Sequence, residues 1–577
     1  MSFINFIWNY LKSSKKILII APIFMILEVV GDLLQPYLTQ KIIDEGIAYG
    51  NKGLVLKFGT IMAVVAVLGL CCGIINTILA TIVSQNFGTI LREDGFNKVQ
   101  HLSFKNLDKL NPSNIVVRLT NDINQLQNFV LMSLRILIRS PLMFIGSLVM
   151  AIITSKELSP IIFILTAFII ILLYLIIKKS YPVFLDTQVS LDKLNVIIKE
   201  NFSAIRTVKA FVAEDKEEDK FNEKSMDLMK KNIKSSRIVA LIIPMLMLSI
   251  NMGIIFILWF GGNLAYNGGI AVGAIVAFIN YLLQLMFSLI IAGMLLMTVS
   301  RALVSGKRVR ELLNEEPDIK EDKNPVHKEN LSGNIEFKHV FFKYEDSDKD
   351  WVLKDISFTA KNGDTIGIVG ATGAGKTTLV ELIPRFYDAT KGEVLIDNIN
   401  VKKYKEKTLR NNMSIVLQRA LLFSGTIRTN IEQGKEDASL EDIRNAAKAS
   451  QAHEFIERFE ERYDSVVYQK GSNLSGGQKQ RVSIARGLVK TPSVLILDDS
   501  TSALDAKSEE LVKQALNKEF DDTTCFIVAQ KISSVIDADK ILVLDNGVLT
   551  GLGNHDELLK NNKVYNEIYK SQIGKEG

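Results

Sequence analysis

The sequence predicts a membrane α-helical region of six transmembrane helices with long cytoplasmic extensions, followed by an α/β P-loop domain. Three observations lead there. The chain is 48% hydrophobic with a mean hydropathy of +0.19, too apolar for an ordinary soluble protein of this length. Composition changes sharply near residue 310, where long apolar runs give way to mixed polar sequence. Beyond that point short β-branched runs alternate with helical patterns, and one run opens directly into a glycine-rich turn that ends Gly-Lys-Thr.

The N-terminus carries Lys12, Lys15 and Lys16 ahead of a long apolar run with no small-residue cleavage site, which predicts a retained helix rather than a signal peptide. A membrane span needs about 20 predominantly apolar residues. Six stretches qualify: 17–41, 55–83, 131–154, 158–178, 240–264 and 270–299. Basic residues collect at the N-terminus, in the first long connection (Arg92, Lys98, Lys105, Lys109, Arg118) and in the second, 178–237. The other links are poor in them, so the positive-inside bias puts both termini and both long connections in the cytoplasm. Trp8 and Trp259 fit interfacial anchors. Apolar residues at helical spacing in both connections extend the membrane helices beyond the bilayer, with short contact segments near 107–113 and 202–211. Those segments are either levers between membrane and nucleotide domain or ordinary hairpins.

Ionisable groups inside spans point to a protein interior or water. Glu28 and Asp32 share one face of the first span at i, i+4. Arg135 and Arg139 share a face of the third, where snorkelling toward the cytoplasmic side is the cheaper explanation. Glu28 and Arg139 lie at similar depth, so an ion pair there serves either as a structural tie or as part of a substrate cavity. Phe and Met within the spans, such as Phe278 and Phe287, suit an adaptable apolar cavity and equally suit packing. Cys71, Cys72 and Cys525 cannot make a disulfide framework and read as buried small hydrophobes. The net charge of +5 is too small for this length to argue for nucleic acid.

Residues 316–333, with Pro317, Pro325 and many charges, form a polar linker between domains at 1–315 and 334–577. Strand candidates at 335–342, 365–369, 393–396, 414–417, 494–497, 525–529 and 541–544 predict a largely parallel sheet covered on both faces. The second candidate runs into Gly370-Ala371-Thr372-Gly373-Ala374-Gly375-Lys376-Thr377-Thr378 and then a helical pattern, the strand, loop, helix context of a phosphate-binding P-loop. Glycines at 370, 373 and 375 let backbone N–H groups turn inward, and the new helix offers its positive end. Gly370, Thr372, Gly373, Ala374, Gly375, Lys376, Thr377 and Thr378 are the candidate nucleotide contacts, with Lys376 reaching the β- and γ-phosphates and Thr377 holding Mg²⁺. A second apolar strand ends at Asp498, which in the company of a P-loop becomes a Mg²⁺ ligand, usually through water. Leu474-Ser475-Gly476-Gly477-Gln478 opens a helix and is a second anion site.

The order of the P-loop, Gln418, Leu474-Ser475-Gly476-Gly477-Gln478, Asp498, Ser502-Ala503-Leu504-Asp505 and the strand ending at Gln530 resembles the nucleotide-binding domain of an ABC transporter. The six preceding spans resemble the family's exporter-type membrane domain, so the likeness covers nearly the whole chain. It implies ATP and Mg²⁺ as ligands, Tyr344 stacked on adenine, Gln418 sensing the γ-phosphate and Mg²⁺, and Asp505 in the loop that crosses to the opposite site. Two such domains close head to tail in this family. A single-cassette chain is then half of a dimer, in which Ser475, Gly476, Gly477, Gln478 and Asp505 serve the partner's ATP. The resemblance also makes the segments near 107–113 and 202–211 coupling helices, the second docking on the partner's cassette, and implies a multi-pass protein of the bacterial cytoplasmic membrane.

Departures from the family pattern are informative. Asp499 stands where the family usually has a Glu that polarises the attacking water, and one methylene fewer withdraws the carboxylate by about 1.5 Å. Gln530 replaces the usual switch His; it donates a hydrogen bond but carries no proton or positive charge. Gln469 stands where many exporters have Glu. A misplaced base alone costs roughly 10²- to 10⁴-fold in rate. The expectation is a degenerate, slowly hydrolysing site in a heterodimeric exporter of hydrophobic or amphiphilic compounds (drugs, lipids or peptides), whose non-identical partner supplies Glu and His. A homodimer with residual activity, a lipid flippase, an exporter-fold importer of a metal chelate and a non-transporting ATP-dependent sensor are the alternatives.

Overall fold

The computed structural model describes residues 3–328, 330–344 and 351–573. The chain divides into two compact units, Met1–Gln100 with Asn111–Glu315, and His101–Leu110 with Glu316–Gly577.

Among the described residues the first unit holds six helices long and apolar enough to cross a membrane: Phe3–Ile47, Lys52–Gln100, Pro112–Thr154, Ser159–Ser203, Glu214–Tyr266 and Val272–Asn314. Each covers one of the predicted apolar stretches to within two residues and extends past it. At 1.5 Å per residue the second is roughly 70 Å long, more than twice a hydrocarbon core of about 30 Å. Phe278, Tyr281, Leu282, Ile162, Ile250 and Ile257 bury where the last three helices meet. Gly253 allows that approach, since a Cβ there would stand 2.5 Å from Leu165. The Tyr281 hydroxyl donates to the Leu33 carbonyl (2.9 Å) and the Gln284 amide to that of Asp32 (3.1 Å), tying the sixth helix to the first.

Two expectations for this unit need correction. Arg139 does not snorkel: its guanidinium makes the ion pair expected with Glu28, Oε1 at 2.9 Å, and adds Asp32 Oδ2 at 2.7 Å, because partners on the first helix cost less than stretching to water. Cys71 is exposed and Cys72 only half-buried, while Cys525 is buried as expected. Trp8 and Trp259 are both exposed. The second contact segment is the short helix Ile205–Ala210, flanked by exposed Phe202, Phe211 and Val212.

The second unit is built on a ten-stranded sheet and a two-stranded ribbon. Its strands are β1 (Ile335–Phe342), β2 (Leu353–Ala360), β3 (Thr365–Gly370), β4 (Lys391–Ile396), β5 (Ile399–Asn400), β6 (Met413–Val416), β7 (Gly425–Thr426), β8 (Val466–Val467), β9 (Val494–Asp498), β10 (Thr524–Val528), β11 (Lys540–Asp545) and β12 (Val548–Gly553). The order is β5-β4-β1-β2-β12-β11-β3-β10-β9-β6, with β7 and β8 in the ribbon. From β11 to β6 all neighbours are parallel, and every residue of β9 and β10 is buried, as strands covered on both faces require.

The other half is antiparallel through β1 with β2 and β4, β4 with β5, and β11 with β12, save for a short parallel contact of β12 with β2. A largely parallel sheet therefore describes only the half that carries the site. Absent from the predicted strands, β2 alternates buried with more exposed positions and β12 half-buried with exposed ones, instead of forming continuous apolar runs.

The short helix Phe104–Leu110 belongs to this second unit. Phe104 stacks on Phe386 with ring centroids 4.3 Å apart, and Asp108 Oδ2 accepts a 2.6 Å hydrogen bond from the Tyr387 hydroxyl. The helix lies three residues N-terminal to the start of the predicted segment, because Asn111, at φ +57° before Pro112, breaks it there. Within 316–333, Ile319 is buried and the Lys320 carbonyl accepts from Arg385.

Candidate nucleotide site

Strands β6, β9, β10 and β3 lie side by side and parallel, so their C-terminal ends open on one edge, where such sheets place ligand sites. Four features converge there: the turn after β3, Gln418 after β6, Asp498 and Asp499 at the end of β9, and Gln530 after β10.

The turn is glycine-dependent. A Cβ on Gly370 would sit 2.2 Å from the Leu544 carbonyl oxygen, and Gly373 and Gly375 have φ of +84° and +96°. The helix Lys376–Glu381 begins immediately after. Lys376 Nζ donates to the carbonyls of Gly370 (2.8 Å) and Ala371 (3.0 Å), folding back over the turn. Burial lowers its pKa, opposed by Asp499 and Asp498. Thr377 Oγ1 lies 3.0 Å from Asp498 Oδ1. Burial raises the Asp498 pKa, and the neighbouring Asp499 adds to this while the Thr377 hydroxyl works against it. The hydroxyl and carboxylate are hard oxygen donors side by side, a set that fits Mg²⁺ held chiefly by phosphate and water. Among the described residues no group of three or more His, Cys, Asp and Glu could hold a metal by itself.

Asp499 is buried with φ +46°. Its Oδ2 accepts hydrogen bonds from Gln418 Nε2 (3.0 Å) and Gln530 Nε2 (2.8 Å). The three side chains singled out in the sequence thus form one cluster. Tyr344 joins the P-loop through its hydroxyl, 3.1 Å from Thr378 Oγ1, and its ring meets Tyr387 edge to face.

The signature residues form no hydrogen bond with that cluster among the described residues. Ser475 caps the helix Gly476–Leu488 in a capping box with Gln478, and a Cβ on Gly476 would meet nothing within 4 Å. Asp505 caps the helix Ala506–Glu519 through Ser508.

Sequence reasoning missed Glu381, whose pKa is pushed up to about 7 by burial first and then by Asp498 and Asp108, and it missed Asp108 with Tyr387. No local signal marks them, since their neighbours come from remote segments.

Residues 18–289 match the family described as ABC transporter transmembrane region, and residues 353–502 match ABC transporter. A Bacillus subtilis (strain 168) protein, the uncharacterized ABC transporter ATP-binding protein YfiB, is 40% identical over 99% of this chain and 98% of its own. The chain belongs to the ABC transporter family. Another B. subtilis protein, YgaD, provisionally named a multidrug export ATP-binding/permease protein, is 34% identical to the transporter over 84% of its chain and 83% of YgaD. The structure of a bacterial Atm1-family ABC exporter with ATP bound matches with a TM-score of 0.80 and 26% identity, over 97% of this chain and 99% of that one. The transporter is accordingly a half-transporter of the exporter fold, with an ATP-binding domain coupled to a multi-pass membrane region.

Proposed function

We propose that the chain is the slowly hydrolysing half of a heterodimeric exporter in the bacterial cytoplasmic membrane, with its ATPase unit on the cytoplasmic side. It moves hydrophobic or amphiphilic compounds outward. The supporting observation is Asp499, a short carboxylate whose Oδ2 already accepts amide hydrogen bonds from Gln418 and Gln530. A general base needs a lone pair within reach of the attacking water. Here an oxygen of the candidate base is committed twice, and the neighbour at 530 is an amide that cannot change charge.

The binding elements fit ATP. The N–H groups of the P-loop and Lys376 hold the phosphates, and Tyr344 stacks on adenine. Thr377, Asp498 and Gln418 would hold Mg²⁺, which when bound neutralises phosphate charge. Ser475, Gly476, Gly477, Gln478 and Asp505 complete the partner's site, where a Glu and a His drive hydrolysis. ATP on this chain then keeps the two cassettes together while the partner's site turns over. The provisional name of YgaD supports a multidrug substrate range.

The test is single-turnover hydrolysis by the purified pair with each P-loop Lys changed separately. The partner's Lys→Ala should abolish hydrolysis, and Lys376→Ala should leave a substantial fraction. Equal loss from both changes would sink the proposal.

A further inference from the structure

Unmet polar groups of three kinds line one cavity of the membrane unit. The cavity, about 740 Å³, lies among the first, second and third helices, and Glu28, Asp32, Asn76, Arg135 and Arg139 form part of its wall. Arg139 pairs with both carboxylates, 2.9 Å from Glu28 and 2.7 Å from Asp32, so this triad carries one negative charge in excess. An uncompensated carboxylate within a span is costly and ordinarily faces a functional cavity. The second helix makes room for it, since a Cβ on Gly73 would stand 3.1 Å from the Glu28 carboxylate.

Arg135 lines the same cavity from the π-turn Ser133–Leu137, and it has no hydrogen-bond or ion-pair partner among the described residues. Widened turns of this kind recur at functional sites. Asn76 is the third group. It is 1% exposed, and neither its amide nitrogen nor its amide oxygen has a hydrogen-bond partner. Leaving such a buried group unsatisfied is costly.

We propose that this cavity binds a zwitterionic amphiphile. Its amine would seat against Glu28 and Asp32, its acidic group against Arg135, and a donor–acceptor group on Asn76, with the apolar body along the helix walls. A cation alone would leave Arg135 unmet, and an anion alone would leave the triad's excess charge. The cavity volume falls within the range of about 300–1,000 Å³ usual for small-molecule sites. The proposal rests on the chain being half of a transporter of amphiphiles, and it names their class. The same chemistry occurs in an aminophospholipid headgroup and in a free apolar peptide.

Equilibrium binding to the purified, nucleotide-free transporter in neutral maltoside micelles tests this. The probes are lysophosphatidylethanolamine against lysophosphatidylglycerol, and the dipeptide Leu-Leu against N-acetyl-Leu-Leu and Leu-Leu amide. At least one zwitterion should bind about tenfold tighter than its singly charged counterparts, equivalent to about 1.4 kcal/mol. Arg135→Gln should weaken by about tenfold every probe that carries an acidic group, and Asn76→Leu should weaken all the probes alike. Preference for the lysolipid alone assigns a lipid source, and preference for Leu-Leu alone a soluble one. Equal binding within both series, no binding by any probe, or undiminished affinity for the preferred zwitterion in both variants overturns the proposal. The wild-type ranking decides if a variant does not fold. Because no ATP turns over, failure here leaves the hydrolytic asymmetry proposed above untouched, and failure of that asymmetry leaves the ranking untouched.

Discussion

The P-loop and the signature helix are both glycine-flanked helix starts on one unit, yet their surroundings differ. At the P-loop the polar side chains hold internal partners: Lys376 on two carbonyls, Thr377 on Asp498, and Asp499 on two amides. At the signature, Ser475 and Gln478 cap their own helix and Gly476 faces open space. The first end is assembled by its own chain. The second presents bare backbone, which suits a surface completed by something outside the chain.

The largest break in this contrast should come from restoring the family's residues at the P-loop end. Asp499→Glu with Gln530→His should raise single-site hydrolysis by about 10²-fold or more, read in a pair whose other P-loop Lys is disabled. No gain would mean that Asp499 already acts as an adequate base.

A pH test separates the ends next. Glu381, at the close of the P-loop helix, has a folded pKa of about 7 against an ordinary 4.5. Its contribution to stability is complete below about 4.5 and is lost as pH rises through about 7. With allowance for solvent at a partly exposed group, the loss is about 1–2 kcal/mol. Glu381→Gln should therefore flatten the fall in melting temperature of the nucleotide-free protein between pH 5 and 8. Parallel curves for variant and wild type would count against the buried acid.

Gly476→Leu should leave the melting temperature within a degree or two of wild type, because its Cβ meets nothing within 4 Å. It should nonetheless slow steady-state ATPase turnover by about tenfold if this surface seats phosphate. Unchanged turnover would make the signature end a mere helix cap. The smallest effect is expected for Tyr387→Phe, which removes the bond to Asp108 and should cost about 1 kcal/mol in denaturant unfolding of the cassette.

The P-loop, the signature and Asp498 were legible because each is a contiguous string whose local chemistry fixes its conformation. The six spans were legible because apolar length is itself the constraint. The Glu28–Arg139 pair was legible from matching depth, but the second bond of Arg139 to Asp32, in place of snorkelling, was not, since it depends on what the first helix presents. Nor were β2 and β12, whose alternating patterns have no meaning until a neighbouring strand supplies register. The Asp499 cluster was legible as three unusual residues, but not as hydrogen bonds, because Gln418 and Gln530 come from different strands.

The hydrogen bond between Asp108 and Tyr387 spans 279 residues of chain. Four of the six apolar helices lie between its ends. An even number of crossings returns the polypeptide to the side it left, and an odd number would strand Tyr387 across the bilayer from Asp108. This contact is therefore a parity check on threading: a chain in which one of those four helices failed to insert could not form it and would leave Phe386 without the ring of Phe104.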